Sequence, residues 1–140
     1  MTRAKGEPES IAFGTQRDVN TPGYEWMAHS LAPRAPAEDE TRVTIGGRDC
    51  RHPYEASHLN VSGMSFGALS GNAVAALNRA ARAGGFAHNT GEGGISAHHR
   101  HGGDLIWQIG TGYFGCRTPD GDFCPDTFAE QASDPAVRMI

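Results

Sequence analysis

Apolar and polar positions change period along this chain, and the changes mark its elements. Behind a charged step at residues 39–42, Arg42-Val43-Thr44-Ile45 alternates polar and apolar and runs into Gly46-Gly47-Arg48-Asp49. That pattern predicts a β-hairpin with its return strand near residues 50–55. The apolar run Leu59 to Val61 then stops at a cluster of small residues, in the stretch LNVSGMSFGALS, which predicts a strand and a glycine-rich loop. Behind Ser70 the period becomes helical. Val74, Leu77 and Ala81, with Ala73 and Ala80 beside them, recur at three- and four-residue spacing, while Asn78, Arg79 and Arg82 take the other face. Ser70 is a natural N-cap and Gly84-Gly85 a natural C-cap. Phe86-Ala87-His88-Asn89-Thr90 followed by Gly91-Glu92-Gly93-Gly94 repeats the strand and glycine loop. Strand, helix, strand makes a βαβ unit with parallel strands.

Further along, Ile95 to Gly103 is a polar loop, and Asp104 to Gly110 is apolar enough for a third buried strand, with a short helix as the other reading of DLIWQI. Several glycines turn the chain through residues 111–125, DTFAEQAS at 126–133 suits a helix, and AVRMI at 136–140 begins another apolar run. The sequence stops inside that run, which leads us to expect a fragment of a longer protein. Upstream, residues 1–40 form an N-terminal arm: residues 1–10 are polar, and residues 11–36 hold apolar and aromatic positions without sustained period, with three prolines. Phe13, Tyr24 and Trp26 are expected to pack across the main domain, residues 41–140, or across a partner subunit. The pattern alone gives an α/β class, either a small open sheet or part of a larger parallel fold, since three or four βα units cannot close an eight-stranded barrel.

Composition narrows the partners. A chain of 140 residues with 38% hydrophobic and 20% charged positions suits one domain, or part of one. A net charge of -4 provides no basic field, so neither nucleic acid nor an anionic membrane is expected as the main partner. No apolar stretch approaches the ~18 residues of a membrane span, and the first residues lack the apolar core of a signal peptide. Cys50, Cys116 and Cys124 are an odd count with no close pair, which reads as free, mostly buried thiols in a reducing cytoplasm. His98, His99 and His101 with Arg100 have spacing that lets few of them point one way and lack a neighbouring carboxylate or cysteine, so we expect a solvated or partly ordered cationic lid able to attract an anionic substrate, with no metal site.

The motifs SGMSFGALS, NTGEGG and DLIWQIGTGYFGCR, in this order and spacing, resemble the FMN-binding glutamate synthase family, and the resemblance extends upstream through FGTQRDVNTPGYEWMAHS and RVTIGGRDCRHPYEAS. It covers roughly residues 13–140. Gly63 and Asn89 depart from the family pattern, which more often has alanine and an acidic residue there. The resemblance implies the N-terminal portion of a (β/α)8 TIM barrel, preceded by the arm and the hairpin, with FMN at the carboxyl face. It also implies condensation of ammonia, supplied free or from glutamine, with 2-oxoglutarate to 2-iminoglutarate, and reduction to L-glutamate by flavin hydride. An electron-donor or glutaminase subunit is a possible partner.

On this reading Ser62, Gly63, Met64, Ser65, Gly67 and Ala68 lay backbone groups along the isoalloxazine edge, where donors tune flavin electronics. Met64 and Phe66 provide apolar walls or simply pack the core. Asn89 and Thr90 face the flavin or the keto-acid pocket, and Gln108 and Thr111 reach the ribityl chain or ring, or make structural hydrogen bonds. Glu92 is the candidate catalytic residue. A carboxylate beside a dicarboxylate substrate repels it, so Glu92 suits an ammonium or imine, a cation, or a loop-ordering role. Iron-sulfur cysteines, where the family has them, fall further downstream, as do the catalytic lysine strand and the FMN phosphate loops. The chain therefore carries part of a site and is expected neither to hold FMN tightly nor to turn over alone. A methylamine-dependent N-methylglutamate synthase subunit and a non-catalytic remnant or interaction module are the alternatives.

Overall fold

A computed structural model describes residues 18–25 and 27–140. The chain divides into two units, Met1–Ala35 and Pro36–Ile140. The described part of the first holds local turns, with Asp18 accepting from Asn20 N–H at 2.9 Å and Thr21 C=O accepting from Tyr24 N–H at 3.2 Å, and contains neither helix nor strand. Tyr24 is 40% exposed. Phe13 and Trp26 lie outside the described residues.

The second unit opens with the hairpin. Strand β1 (Arg42–Ile45) pairs antiparallel with β2 (Tyr54–Ser57), Val43 opposite Ala56 and Ile45 opposite Tyr54. The return strand thus starts later than residues 50–55. Gly46 at φ +117 and a turn closed by Cys50 N–H on Gly47 C=O take up the intervening chain, and Pro53, lacking an N–H, cannot enter the ladder.

Helix α1 (Gly71–Gly84) begins where its cap and period place it: Ser70 Oγ accepts from Ala73 N–H, and Gly85, left-handed at φ 65, donates to Ala81 C=O. Its buried face is Val74, Ala75, Asn78 and Ala81. Asn78 is therefore on the inner face, contrary to the polar side expected for it. Helical spacing sets it on the row of Val74 and Ala81, and an asparagine is tolerated there because its amide meets three partners, His88 on the next strand and the His101 and Gly103 N–H groups of one loop.

Behind α1 come β3 (Ala87–Asn89), β4 (Asp104–Ile106), α2 (Pro125–Ala132) and β5 (Val137–Met139). β3, β4 and β5 form a parallel sheet in chain order, with His88 opposite Leu105 and Ile106 opposite Met139. The expected first strand shrinks to one parallel bridge, Val61 opposite His88, held by Val61 N–H on Ala87 C=O and Asn89 N–H on Val61 C=O. The reason is Asn60, whose side chain takes the ladder position: Oδ1 accepts from Ala87 N–H at 2.9 Å and Nδ2 donates to Ser57 C=O at 2.6 Å. DLIWQI is a strand, and it ends early because Gln108 N–H turns to the Thr90 hydroxyl at 3.1 Å. α2 packs through Phe128, which stacks on the fully buried Trp107 with centroids 5.7 Å apart.

The hairpin and the amino ends of the sheet are joined by side chains. Tyr54 donates to Asp104 Oδ2 at 3.0 Å, Arg138 pairs with Asp104 Oδ1, and Arg42 donates to Gly85 C=O. Burial, then the Asp104 carboxylate, push the Tyr54 phenol up to about 12. Among the described residues no helix is long and apolar enough to cross a membrane.

Candidate functional site

Loops following parallel strands converge at the carboxyl edge of a sheet, which is where α/β folds bind ligands. Here the converging segments are residues 62–68, 89–94 and 107–112. Gly63 is pressed against two of them: a Cβ at this position lies 2.9 Å from Gln108 Oε1, 3.3 Å from Asn89 Oδ1 and 3.4 Å from Gly91 Cα. Only a glycine lets the two carboxamides approach the loop backbone this closely. Gly91, at φ +66, lies just as tightly under Ser65. Asn89 Oδ1 accepts from Gly91 N–H at 2.8 Å, Gln108 Nε2 reaches toward Glu92 Oε1 at 3.4 Å, and the Glu92 carboxyl lies against Gly110.

Gly63, Met64, Ser65, Asn89, Glu92 and Gln108 are thus brought together. Thr90 is different: it is fully buried, its hydroxyl donating to Gly91 C=O and accepting from Gln108 N–H, so it ties two loops inside the protein. Gly67, at φ +111, lies in a tight turn where its N–H meets Leu69 C=O, and nothing lies within 4 Å of a Cβ there. Ala68 and Thr111 are exposed. Phe66 is half exposed and tilted on the His98 ring at 4.6 Å. The backbone of Met64 is fully occupied, N–H on Asn89 C=O at 3.1 Å and C=O on His99 Nε2 at 2.9 Å, whereas Ser62 and Gly63 are exposed with backbone groups unpartnered among the described residues.

Two residues that the sequence reading missed support this edge from behind. His99 is fully buried in the one-turn 3₁₀ segment Ala97–His99, which corrects the expectation of a solvated lid for this histidine. Ser96 N–H donates to its Nδ1 at 3.1 Å, so the proton sits on Nε2 and is donated to Met64 C=O. His88 lies 5.2 Å from it, ring to ring, and its Nδ1 accepts from Asn78 Nδ2 at 3.3 Å. Asn78 Oδ1 in turn accepts from His101 N–H at 2.9 Å and Gly103 N–H at 3.1 Å. The signal available was His88 itself, a polar residue in an apolar strand facing the helix. Among the described residues, no group of three or more His, Cys, Asp or Glu side chains is placed to hold a metal ion.

Burial, with a smaller contribution from His99, pulls the His88 imidazole down from 6.5 to about 4, and burial also lowers His99. The unfolded chain takes up a proton at His88 that the folded chain refuses between these values. The stability from neutral His88 is therefore complete above pH 6.5 and lost as pH falls toward 4, on the order of 3 kcal/mol in all. Urea unfolding at pH 7 and pH 4.5 is expected to show most of this loss, and His88→Gln to remove this share of the pH dependence, leaving that of the lowered His99. Equal stability at the two pH values contradicts the buried neutral imidazole.

At the opposite, amino end of the sheet a cleft of about 800 Å³ is lined by Arg51, His52, Tyr54, Asp134 and Arg138, among others. Two of its charges are engaged: Arg138 pairs with Asp104 and Asp134 with Arg100. That end of a parallel α/β fold serves stability rather than ligand binding.

Comparison with known proteins gives a match over most of the chain. The family model described as a conserved region in glutamate synthase matches residues 34–132. The glutamate synthase large subunit-like protein YerD of Bacillus subtilis (strain 168) is 42% identical over 105 residues, covering 73% of this chain and 20% of its own. A glutamate synthase large subunit-like protein of Rhizobium meliloti (strain 1021) is 37% identical over 83 residues, 58% of this chain and 19% of its own. The chain spans about a fifth of the length of these relatives. No solved structure matches it.

Proposed function

Because the chain belongs to the glutamate synthase family, we propose that it forms the first part of an FMN-dependent oxidoreductase barrel that makes L-glutamate by reductive amination of 2-oxoglutarate. The observation that carries this reading is the convergence of Gly63, Asn89, Gln108 and Glu92 at the carboxyl ends of parallel strands, within the segment that the family shares.

Two features support a larger parallel barrel. The strands run in chain order, and their two faces are unequally covered: His88, Leu105 and Trp107 are fully buried, while on the other face Ala87 is buried but Asn89 and Ile106 are only partly covered. Parallel sheets are buried on both sides, so further strands and their side chains are expected over that face.

The residues suit a flavin. The backbone groups of Ser62 and Gly63, exposed and unpartnered among the described residues, lie beside the Gln108 carboxamide and offer donors and acceptors to a ring edge or ribityl chain. FMN, when bound, supplies the hydride. This chain orients it: Ser62, Gly63, Asn89 and Gln108 hold its polar edge, Ser65 and Met64 set the loop behind it, and Glu92 holds the ammonium or iminium cation.

The test is flavin content and turnover. The 140-residue chain alone is expected to bind FMN weakly and to leave reduced FMN unoxidised by 2-oxoglutarate and ammonia. Joined to the other four fifths of a relative, it is expected to show a stoichiometric flavin band and ammonia-dependent oxidation, which Glu92→Gln lowers at least tenfold. A joined protein without flavin overturns the cofactor reading, turnover by the chain alone overturns the shared site, and a requirement for methylamine in place of ammonia moves the substrate.

A further inference from the structure

The ribbon that follows the candidate site sets two thiols opposite each other. Arg117 and Phe123 form an antiparallel bridge, Thr118 N–H donates to Asp122 C=O at 2.7 Å, and Cys124 N–H donates to Cys116 C=O at 2.9 Å. This register puts Cys116 directly across from Cys124. Opposed residues of an antiparallel pair share a face, with Cα atoms about 5.5 Å apart when they are hydrogen-bonded. A disulfide spans Cα separations of roughly 4.4–6.8 Å, and the separation usual for such an opposed pair falls inside that range.

The two thiols are unequal. Cys116 is fully buried, and burial, then the neighbouring Cys124 charge, push its thiol up. Cys124 is only partly covered at the start of α2, where the Thr127 hydroxyl and N–H, then the Asp126 N–H, hold its thiol below the usual range. The remaining cysteine, Cys50, is exposed in the hairpin connection.

We propose that Cys124 is a site of oxidation by hydrogen peroxide and Cys116 its resolving thiol, the two closing an intrachain disulfide. The Cys124 thiolate attacks one peroxide oxygen, the O–O bond breaks, and the departing hydroxide takes a proton to become water, leaving a sulfenic acid. The Cys116 sulfur then attacks the Cys124 sulfur, the S–O bond breaks, and hydroxide leaves with the Cys116 proton as a second water. The two thiols lose two electrons and the peroxide gains them. The bond joins the start of α2 to the turn of residues 110–116, in which Tyr113 N–H meets Gly110 C=O and Cys116 N–H meets Tyr113 C=O. Oxidation thus fastens the loop that carries Gly110, against which Glu92 rests. The inference does not depend on flavin binding.

The experiment uses the chain with Cys50→Ser, treated with equimolar hydrogen peroxide and mapped by proteolysis and mass spectrometry without reductant. Alkylated with iodoacetamide after unfolding in urea, both remaining thiols are expected to have become unreactive together, with a chain about 2 Da lighter. A peptide joining Cys116 to Cys124 is expected, and dithiothreitol reverses the change. Adding Cys116→Ser is expected to stop the reaction at a dimedone-reactive Cys124, and adding Cys124→Ser to abolish it. If the buried Cys116→Ser change unfolds the chain, the peptide map and the Cys124→Ser arm still decide. The proposal is overturned if both thiols stay free, if Cys124 proceeds to sulfinic acid with Cys116 untouched, or if bridges form only between chains.

Discussion

Replacing Asn78 by leucine is expected to lower the stability of the chain by about 4 kcal/mol, even though leucine suits a buried helix face. The carboxamide is fully buried and works in three directions: Oδ1 accepts from His101 N–H and Gly103 N–H, and Nδ2 donates to His88. A backbone N–H that loses its partner without gaining water costs about 1–3 kcal/mol. Leucine strands two of them along with the His88 nitrogen. The gain from extra apolar burial, about 1 kcal/mol, offsets little of this. Urea unfolding measures the loss, and hydrogen exchange locates it: the His101 and Gly103 amides are expected to lose protection more than those in the middle of α1. A loss below 1 kcal/mol, or unchanged exchange at those two amides, sinks the assignment.

An alanine at Gly91 is expected to cost about 4 kcal/mol and to displace the candidate site. Two effects add. The backbone there has φ +66, where an L-residue pays about 1–2 kcal/mol, and the new Cβ lies 2.7 Å from Ser65 N and 2.8 Å from Ser65 Cβ. The nearest atom is backbone, so no side chain can swing away, and overpacking of this kind costs about 1–3 kcal/mol. Gly67→Ala separates strain from contact: it has φ +111, with a conformational cost of its own, and nothing within 4 Å of its Cβ. Gly91→Ala is therefore expected to move the Ser65 and Met64 amide resonances, while Gly67→Ala destabilises and leaves the contact of Gly91 with Ser65 in place. Unmoved Ser65 and Met64 resonances in Gly91→Ala remove the contact with Ser65 as the cause.

The sequence was legible wherever the determining interactions are local. α1 is readable because its cap, its period and its terminal glycine all lie within residues 70–85, and Ser70 and Gly85 make the expected bonds. The parallel pairing of Val61 with β3 follows from a helix set between two apolar runs, and the family from three motifs at fixed spacing. Gly63, Asn89, Glu92 and Gln108 were nominated by what the family resemblance implies, and the structure sets them at one edge because loops after parallel strands meet there.

Tertiary structure decided the rest, because the deciding partners lie far along the chain. Asn78 is polar, and polarity alone points it outward; the amides that draw it inward are 23 and 25 residues away. His99 belongs to a run of histidines that looks solvated, yet Met64 C=O, 35 residues upstream, gives it a buried partner. Asn60 ends a strand by reaching Ala87, 27 residues on. Cys116 and Cys124 do not read as a pair in the sequence, and only the turn through Gly121 and the Arg117–Phe123 bridge set them on opposed positions. Periodicity and capping are thus written in the residues themselves, whereas the inward turn of a polar side chain depends on an unpaired N–H or C=O that only the assembled backbone presents to it.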